Sequence, residues 1–233
     1  MTTVKASPLR RFFRFIFKAI FYFVIGSVLI VCLYAFVPVP TTITMLTDSN
    51  GAERKWASLT DISPNLARAM IAAEDSKFCS HDGFDREAIE KAIESNAKGK
   101  KQRGGSTISQ QTAKNVFLWQ GSGYSRYVRK VPEIWFTFLI EKIWGKRRIM
   151  EVYLNVAETG IGTYGAEAGA RRYYEKAAKN LTRQEAARIA AALPSPKKRA
   201  VNGARGFTRR YGNSIASRIN IVKRDGLDSC IYK

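Results

Sequence analysis

The chain has 233 residues, with 39 Lys and Arg against 19 Asp and Glu, a formal charge of +20. That length holds a membrane anchor and one good-sized domain, and that charge points to an anionic partner: nucleic acid, lipid headgroups or a phosphorylated substrate. The single histidine excludes H-E-x-x-H and every zinc site built on several histidines, and three cysteines (Cys32, Cys79, Cys230) without C-x-x-C define no disulfide framework, which leaves a Cys79–Cys230 bridge open.

Residues 19–37 form a run of 19 without a charge, close to the roughly 20 apolar residues that cross a bilayer as helix. Lys5, Arg10, Arg11, Arg14 and Lys18 precede it, and no acid occurs before Asp48. The positive-inside rule then predicts a cytoplasmic basic tail (1–18), an anchor (19–37) and an extracytoplasmic domain (45–233). The competing reading is a cleaved signal peptide. The run is long for a signal core, and Pro38 and Pro40 stand where a small-x-small cleavage site would lie. "VPVP" reads as a stiff exit from the membrane. A basic domain on that side lies beside lipid phosphates and is not expected to meet nucleic acid.

Within the domain, "TTITML" at 41–46 is the best strand pattern, and it is short. "SPNLARAMIAAEDSKF" predicts a helix with Ser63 as N-cap and Pro64 at its first position. Leu66, Met70, Glu74 and Phe78 recur every four residues, with Ile71 three before Glu74, so Glu74 falls on the apolar stripe. A carboxylate there loses hydration, and its proton affinity rises toward the range of a general base or acid. Asp75 is turned about 100° away. On pattern alone the balance lies with a blander reading, a half-exposed end-of-helix residue paired with a cation. His81 is read as structural, tying the "SHDGF" turn in which Gly83 supplies the flexible position.

Further along, Lys98, Lys100, Lys101 and Arg103 lead into Gly104, Gly105, Ser106 and Thr107, and a helical pattern follows. Thr107 and Gln110 have capping-box spacing. Glycine-rich backbone entering a helix is a ready anion site, with Lys114 one turn past Gln110; a flexible basic loop with an ordinary cap is the alternative. In "SRYVRKVPEIWF", Glu133 falls in a helix's first turn, behind Arg129 and Lys130. "KVPEIWFTFLIEKIWG" and "KRRIMEVYLNVAETG" predict two helices broken near Gly145. Lys146 to Arg148 in a first turn oppose the helix dipole and point to a ligand. The apolar segment 134–144 is left open between core and bilayer. "TRQEAARIAAALPSP" predicts a capped helix (Thr182, Glu185) stopped at Pro194. The prediction is therefore mostly α.

Taken in order, E-D-x-x-F-x-x-H-x-G (from Glu74), G-G-S-T-I-x-Q-Q-x-x-K-N (from Gly104), R-K-x-x-E (from Arg129) and K-x-R-I-x-E-x-Y-L-N (from Lys146) resemble the family 51 glycosyltransferases. These peptidoglycan glycosyltransferases occur alone or at the front of class A penicillin-binding proteins. The likeness spans about residues 63–200. The chain ends at 233, which suits the monofunctional members. Ser109 stands where many relatives have threonine, and Pro132 lies inside the third motif.

The resemblance implies a mostly α, two-lobed, lysozyme-like domain behind a single transmembrane helix. It implies polymerisation of lipid II into β-1,4 glycan strands, with inversion and release of undecaprenyl pyrophosphate at the bacterial cytoplasmic (inner) membrane. Glu74 would be the base and Glu133 the second essential carboxylate. Substrate contacts would come from Asp75, Phe78, Gly105, Ser106, Thr107, Gln111, Lys114, Asn115, Arg129, Lys130, Lys146 and Arg148, with Glu151 mainly structural. No organic cofactor is implied; a divalent cation (Mg or Mn) at Glu133 is left open. Partners would be lipid II, the lipid-linked glycan, the membrane, and cell-wall synthesis or division proteins. Two rival readings are a lysozyme-like lytic transglycosylase and a non-catalytic membrane-anchored scaffold.

Overall fold

The computed structural model describes residues 7–97, 105–121 and 123–232. Lys5, Lys98, Lys100, Lys101, Arg103 and Gly104 lie outside the described residues. The chain divides into two units, Met1–Val37 and Pro38–Lys233.

The first unit is one helix, α1, Pro8–Phe36. Ser7 caps it, accepting from the Arg10 N–H, and Pro8 occupies the first position, where its missing donor costs nothing. The helix is long and apolar enough to cross a membrane. It begins well before the predicted span, so Arg10, Arg11, Arg14 and Lys18 sit on its first turns and not in an extended tail.

The second unit is mostly helical. Its elements are α2 (Ile43–Leu46), β1 (Glu53–Arg54), α3 (Pro64–Glu74), α4 (Arg86–Ala97), α5 (Ile108–Phe117), α6 (Ser125–Val128), α7 (Lys130–Ile143), α8 (Gly145–Val156), β2 (Glu158–Gly160), β3 (Thr163–Tyr164), α9 (Ala166–Tyr174), α10 (Arg183–Ala192) and α11 (Gly206–Arg224). Two clusters of helices carry the fold: α3, α10 and α11 pack on one another, as do α5, α7 and α8. A small sheet of order β1-β3-β2 pairs β1 parallel and β2 antiparallel to β3.

Local chemistry explains the boundaries. Both capping boxes form, Thr107 with Gln110 on α5 and Thr182 with Glu185 on α10. The break between α7 and α8 falls at Trp144 and Gly145, where Gly145 takes φ +70. Pro132 lies in the first turn of α7, where no intrahelical donor is lost.

Three expectations are corrected. "TTITML" is not a strand: the Thr42 hydroxyl accepts from the Met45 N–H at 3.2 Å, and this cap closes a helical turn that outweighs a short alternation. α3 stops at Glu74, because Asp75 leaves helical geometry at φ −158, ψ 77. Phe78 therefore does not continue the stripe; a turn closed by Phe78 N–H to Asp75 O returns it to the core. Ser63 occupies the N-cap position, but its hydroxyl donates to Leu181 O instead of capping.

Long-range ties hold the layers. Cys79 and Cys230, separated by 151 residues, form a disulfide, and Cys32 is free. Asn155 is fully buried; its Oδ1 accepts from Ala57 N–H and its Nδ2 donates to Ala57 O, each at 2.8 Å. Asn155→Ala strands both groups of a buried peptide, at about 1–3 kcal/mol for each. A clearly lowered midpoint in denaturant unfolding is expected, and an unchanged midpoint would refute this account.

Candidate active site

Glu74 is the last residue of α3. Two side chains of α11 hold the carbonyls just before it: Tyr211 donates to Ala73 O (3.0 Å) and Arg218 to Ala72 O (2.6 Å). These groups satisfy orphan carbonyls at the helix end. The next residue, Asp75, is buried. Its carboxylate faces His81 Nε2 at 2.9 and 3.0 Å and accepts from the Ile108 N–H at 2.9 Å. His81 also accepts, at Nδ1, from the Gly83 N–H. The expected structural tie is present, and it reaches further than the turn, to the start of α5.

Fixing the start of α5 places the rest of that helix. Gln111 donates from Nε2 to Glu74 Oε2 at 2.9 Å, and the Tyr153 hydroxyl approaches Gln111 Oε1 at 3.5 Å. Burial pushes the Glu74 carboxyl above its ordinary range, and neighbouring Asp75 adds to this. The Gln111 hydrogen bond, Arg199 and Lys114 pull it the other way. Lys114, one turn beyond Gln111, is shifted downward by burial and by Arg129 and Lys130, against Glu133 and Glu74. Lys114 makes no ion pair among the described residues.

Glu133 sits in a contrasting setting. It is buried, with Arg129 Nη1 on Oε2 at 2.6 Å and Lys130 Nζ on Oε1 at 2.5 Å. Arg129 is itself buried, and its Nε has no hydrogen-bond partner. Three cavities share walls here. The largest, about 650 Å³, is lined by Ser106, Gln111, Lys114, Arg129, Lys130 and Glu133 among others. A second, about 200 Å³, adds Asn115, Tyr153 and Glu158 to Gln111 and Lys114. A third, about 120 Å³, is bounded by Glu74, Asp75, Gly105, Ser106 and Thr107.

Eleven of the fourteen residues singled out in the sequence thus border one connected set of chambers. Three do not. Phe78 is fully buried, with Lys146 Nζ 4.7 Å from its ring centroid and His81 edge-on. Lys146 is paired with Glu141 at 2.7 Å. Arg148 pairs with Glu151 at 3.0 Å and lies 5.4 Å from the Trp56 ring. Lys146 and Arg148 therefore meet acids and rings of the protein, Arg147 donates to Ile231 O, and Phe78 is core. Thr107, although it borders the third chamber, is almost wholly buried; its hydroxyl donates to Gly83 O and accepts from Gln110 N–H.

Sequence reasoning missed Arg199 and Glu158. Arg199 acts on Glu74 from the segment after α10, and Glu158 opens β2 with its carboxyl pushed up by burial. Only the basic run around Arg199 hinted at either.

A divalent cation does not fit Glu133 as it is placed. Both oxygens are occupied by cationic donors, and the described residues contain no group of three or more His, Cys, Asp or Glu that could hold a metal.

A half-buried carboxylate of raised proton affinity beside a cation-lined groove, on a helical, membrane-anchored scaffold, defines a class of enzyme that transfers groups from anionic donors. The chain belongs to the transglycosylase family, whose model matches residues 41–221. Among its relatives, the biosynthetic peptidoglycan transglycosylase of Caulobacter vibrioides is 50% identical over 226 residues, covering 95% of this chain and 97% of that protein. The proteins of the same name from Rhodospirillum centenum (46% over 202 residues; 85% and 86% covered) and Bdellovibrio bacteriovorus (45% over 219; 88% and 86%) are similar as well. The chain is thus a peptidoglycan glycosyltransferase that polymerises glycan strands.

The Gln111 amide favours the ionised form of Glu74. Its removal in Gln111→Ala raises the carboxyl's proton affinity further. If Glu74 works ionised, the acid limb of the pH–rate profile moves to higher pH; a limb that stays in place or moves lower would contradict this geometry.

Proposed function

We propose that the enzyme polymerises lipid II, a disaccharide-pentapeptide on undecaprenyl pyrophosphate, by a one-step inverting transfer. Glu74 takes the proton from the acceptor sugar's 4-hydroxyl. That oxygen attacks the anomeric carbon of the growing chain, and the bond to the α-linked lipid pyrophosphate breaks as the β-1,4 bond forms. The logic is that of an inverting glycosidase with a sugar hydroxyl in place of water. The departing diphosphate is stabilised by Lys114, Arg129 and Lys130, held along one groove by the fold. Glu133 holds Arg129 and Lys130 in register through one ion pair on each oxygen. Gly105, Ser106, Gln111 and Asn115 shape the donor side.

The observation that carries this reading is the contrast between Glu74 and Lys114. A carboxyl raised by burial stands beside a lysine that has no acid of its own. A base needs the first, and a phosphate needs the second. The helix Pro8–Phe36, with Arg10, Arg11, Arg14 and Lys18 on its early turns, supports an N-terminus in the cytoplasm and the catalytic unit outside the inner membrane. The Cys79–Cys230 bridge supports the same orientation, since such bonds persist in oxidising compartments.

Polymerisation of labelled lipid II in detergent or vesicles tests the assignment. Glu74→Gln is expected to keep fold and lipid II binding while losing at least about 10²-fold in rate; normal strand synthesis by this variant removes Glu74 as the base. Lys114→Ala is expected to weaken donor use far more than thermal stability. Parallel loss of both would make the lysine structural.

A further inference from the structure

The segment after α11 lies apart from the groove. Residues 225–232 line none of the three chambers, yet they are fastened to three separate parts of the fold. Asp228, buried, accepts from Arg68 Nε of α3 at 2.6 Å, and the same guanidinium lies 5.4 Å from the Tyr232 ring centroid. Ile231 O accepts from Arg147 of α8 at 2.8 Å. Cys230 is bonded to Cys79.

Cys79 occupies a telling place. It lies five residues after Glu74 and two before His81, in a turn with no helix or strand of its own to hold it. The outer residues of that turn, Ser76, Lys77 and Ser80, are exposed. Its inner side is held by Asp75, Phe78 and His81. The disulfide pins the outer side to a segment anchored on α3 and α8.

We infer that residues 225–232 form a covalent strap that positions the 75–83 turn, and with it the Glu74 carboxylate, so that Cys79, Cys230 and Asp228 are positioning residues for glycosyl transfer. The strap acts through two links: it holds Phe78 and His81 in place, and these keep Asp75 on the Ile108 N–H. With that contact firm, the wall of the turn beside Glu74 stays in place and the carboxylate keeps its partly desolvated setting. This inference rests on the reading of Glu74 as the base.

The double variant Cys79→Ser/Cys230→Ser, in the full chain, tests it with lipid II as substrate, at a temperature where circular dichroism shows it folded. The expected result is a several-fold fall in kcat with KM within about twofold of the parent. Loosening the turn hydrates Glu74, so the acid limb of the kcat profile moves to lower pH. The groups facing that carboxyl are Asp75 beside it, Gln111 and Lys114 from α5, Tyr153 from α8, and Arg199 and Tyr211; the double variant alters none of them. Thr182→Ala, which removes the α10 cap remote from the strap, lowers stability and is expected to leave kcat and the profile alone.

If the double variant does not fold, Asp228→Asn, with the bridge intact, is expected to shift both readouts the same way but less. Parent-like kcat and profile in a folded bridge-free protein, or an equal fall in Thr182→Ala, overturn the strap. If Glu74→Gln itself polymerises, the base assignment fails independently, and the strap is judged by hydrogen exchange at the Ile108 amide. Faster exchange in the double variant supports it, and unchanged exchange rejects it.

Discussion

The carboxylate of Asp75 joins two helices that the chain separates by more than thirty residues. The start of α5 has backbone donors with no intrahelical partner and the positive end of a helix dipole. Asp75 takes one of those donors at Ile108 and faces His81 from the other side. Burying a carboxylate is costly unless its lone pairs are occupied, and here they are. The two adjacent acids thus divide their work: Asp75 binds the helices together, and Glu74, turned away from it, is carried to the groove.

Two further carboxylates show how environment separates roles. Glu133 is neutralised on both oxygens by Arg129 and Lys130, which makes it an organiser of cations. Glu158 is pushed upward by burial and only loosely met by Lys197 at 3.6 Å. Glu74 lies between these extremes, with one neutral hydrogen bond from Gln111 and its cations at longer range. Burial raises its proton affinity, and this partial compensation keeps ionisation within reach, the condition a general base requires. Lys114 is the complement. Burial and the neighbouring Arg129 and Lys130 disfavour its charge, which Glu133 and Glu74 favour only in part, so an incoming anion would stabilise it further.

The C-terminal part of the chain frames this arrangement from behind. α11 closes the end of α3 through Tyr211 and Arg218, and the residues after it return to Arg68, Arg147 and Cys79. Elements more than 130 residues downstream therefore define where the α3 terminus stops.

Much was readable without coordinates, wherever a property is written in neighbouring residues. The apolar run of α1, both capping boxes, the break at Gly145 and the place of Glu133 in a first turn all follow from side chains within a turn or two of each other. So does the ordering of the motifs that border the groove. What the fold alone decided were partnerships across long separations: that Cys79 meets Cys230, that Lys146 and Arg148 are committed to Glu141 and Glu151, that Phe78 turns inward, and that Arg199 faces Glu74. Even Glu74, placed on an apolar stripe by periodicity, stays divided between base and surface ion pair until packing half-buries it and gives it Gln111 as partner. A charge's role depends on its solvent and on the sign of what stands opposite, and a helical period specifies neither.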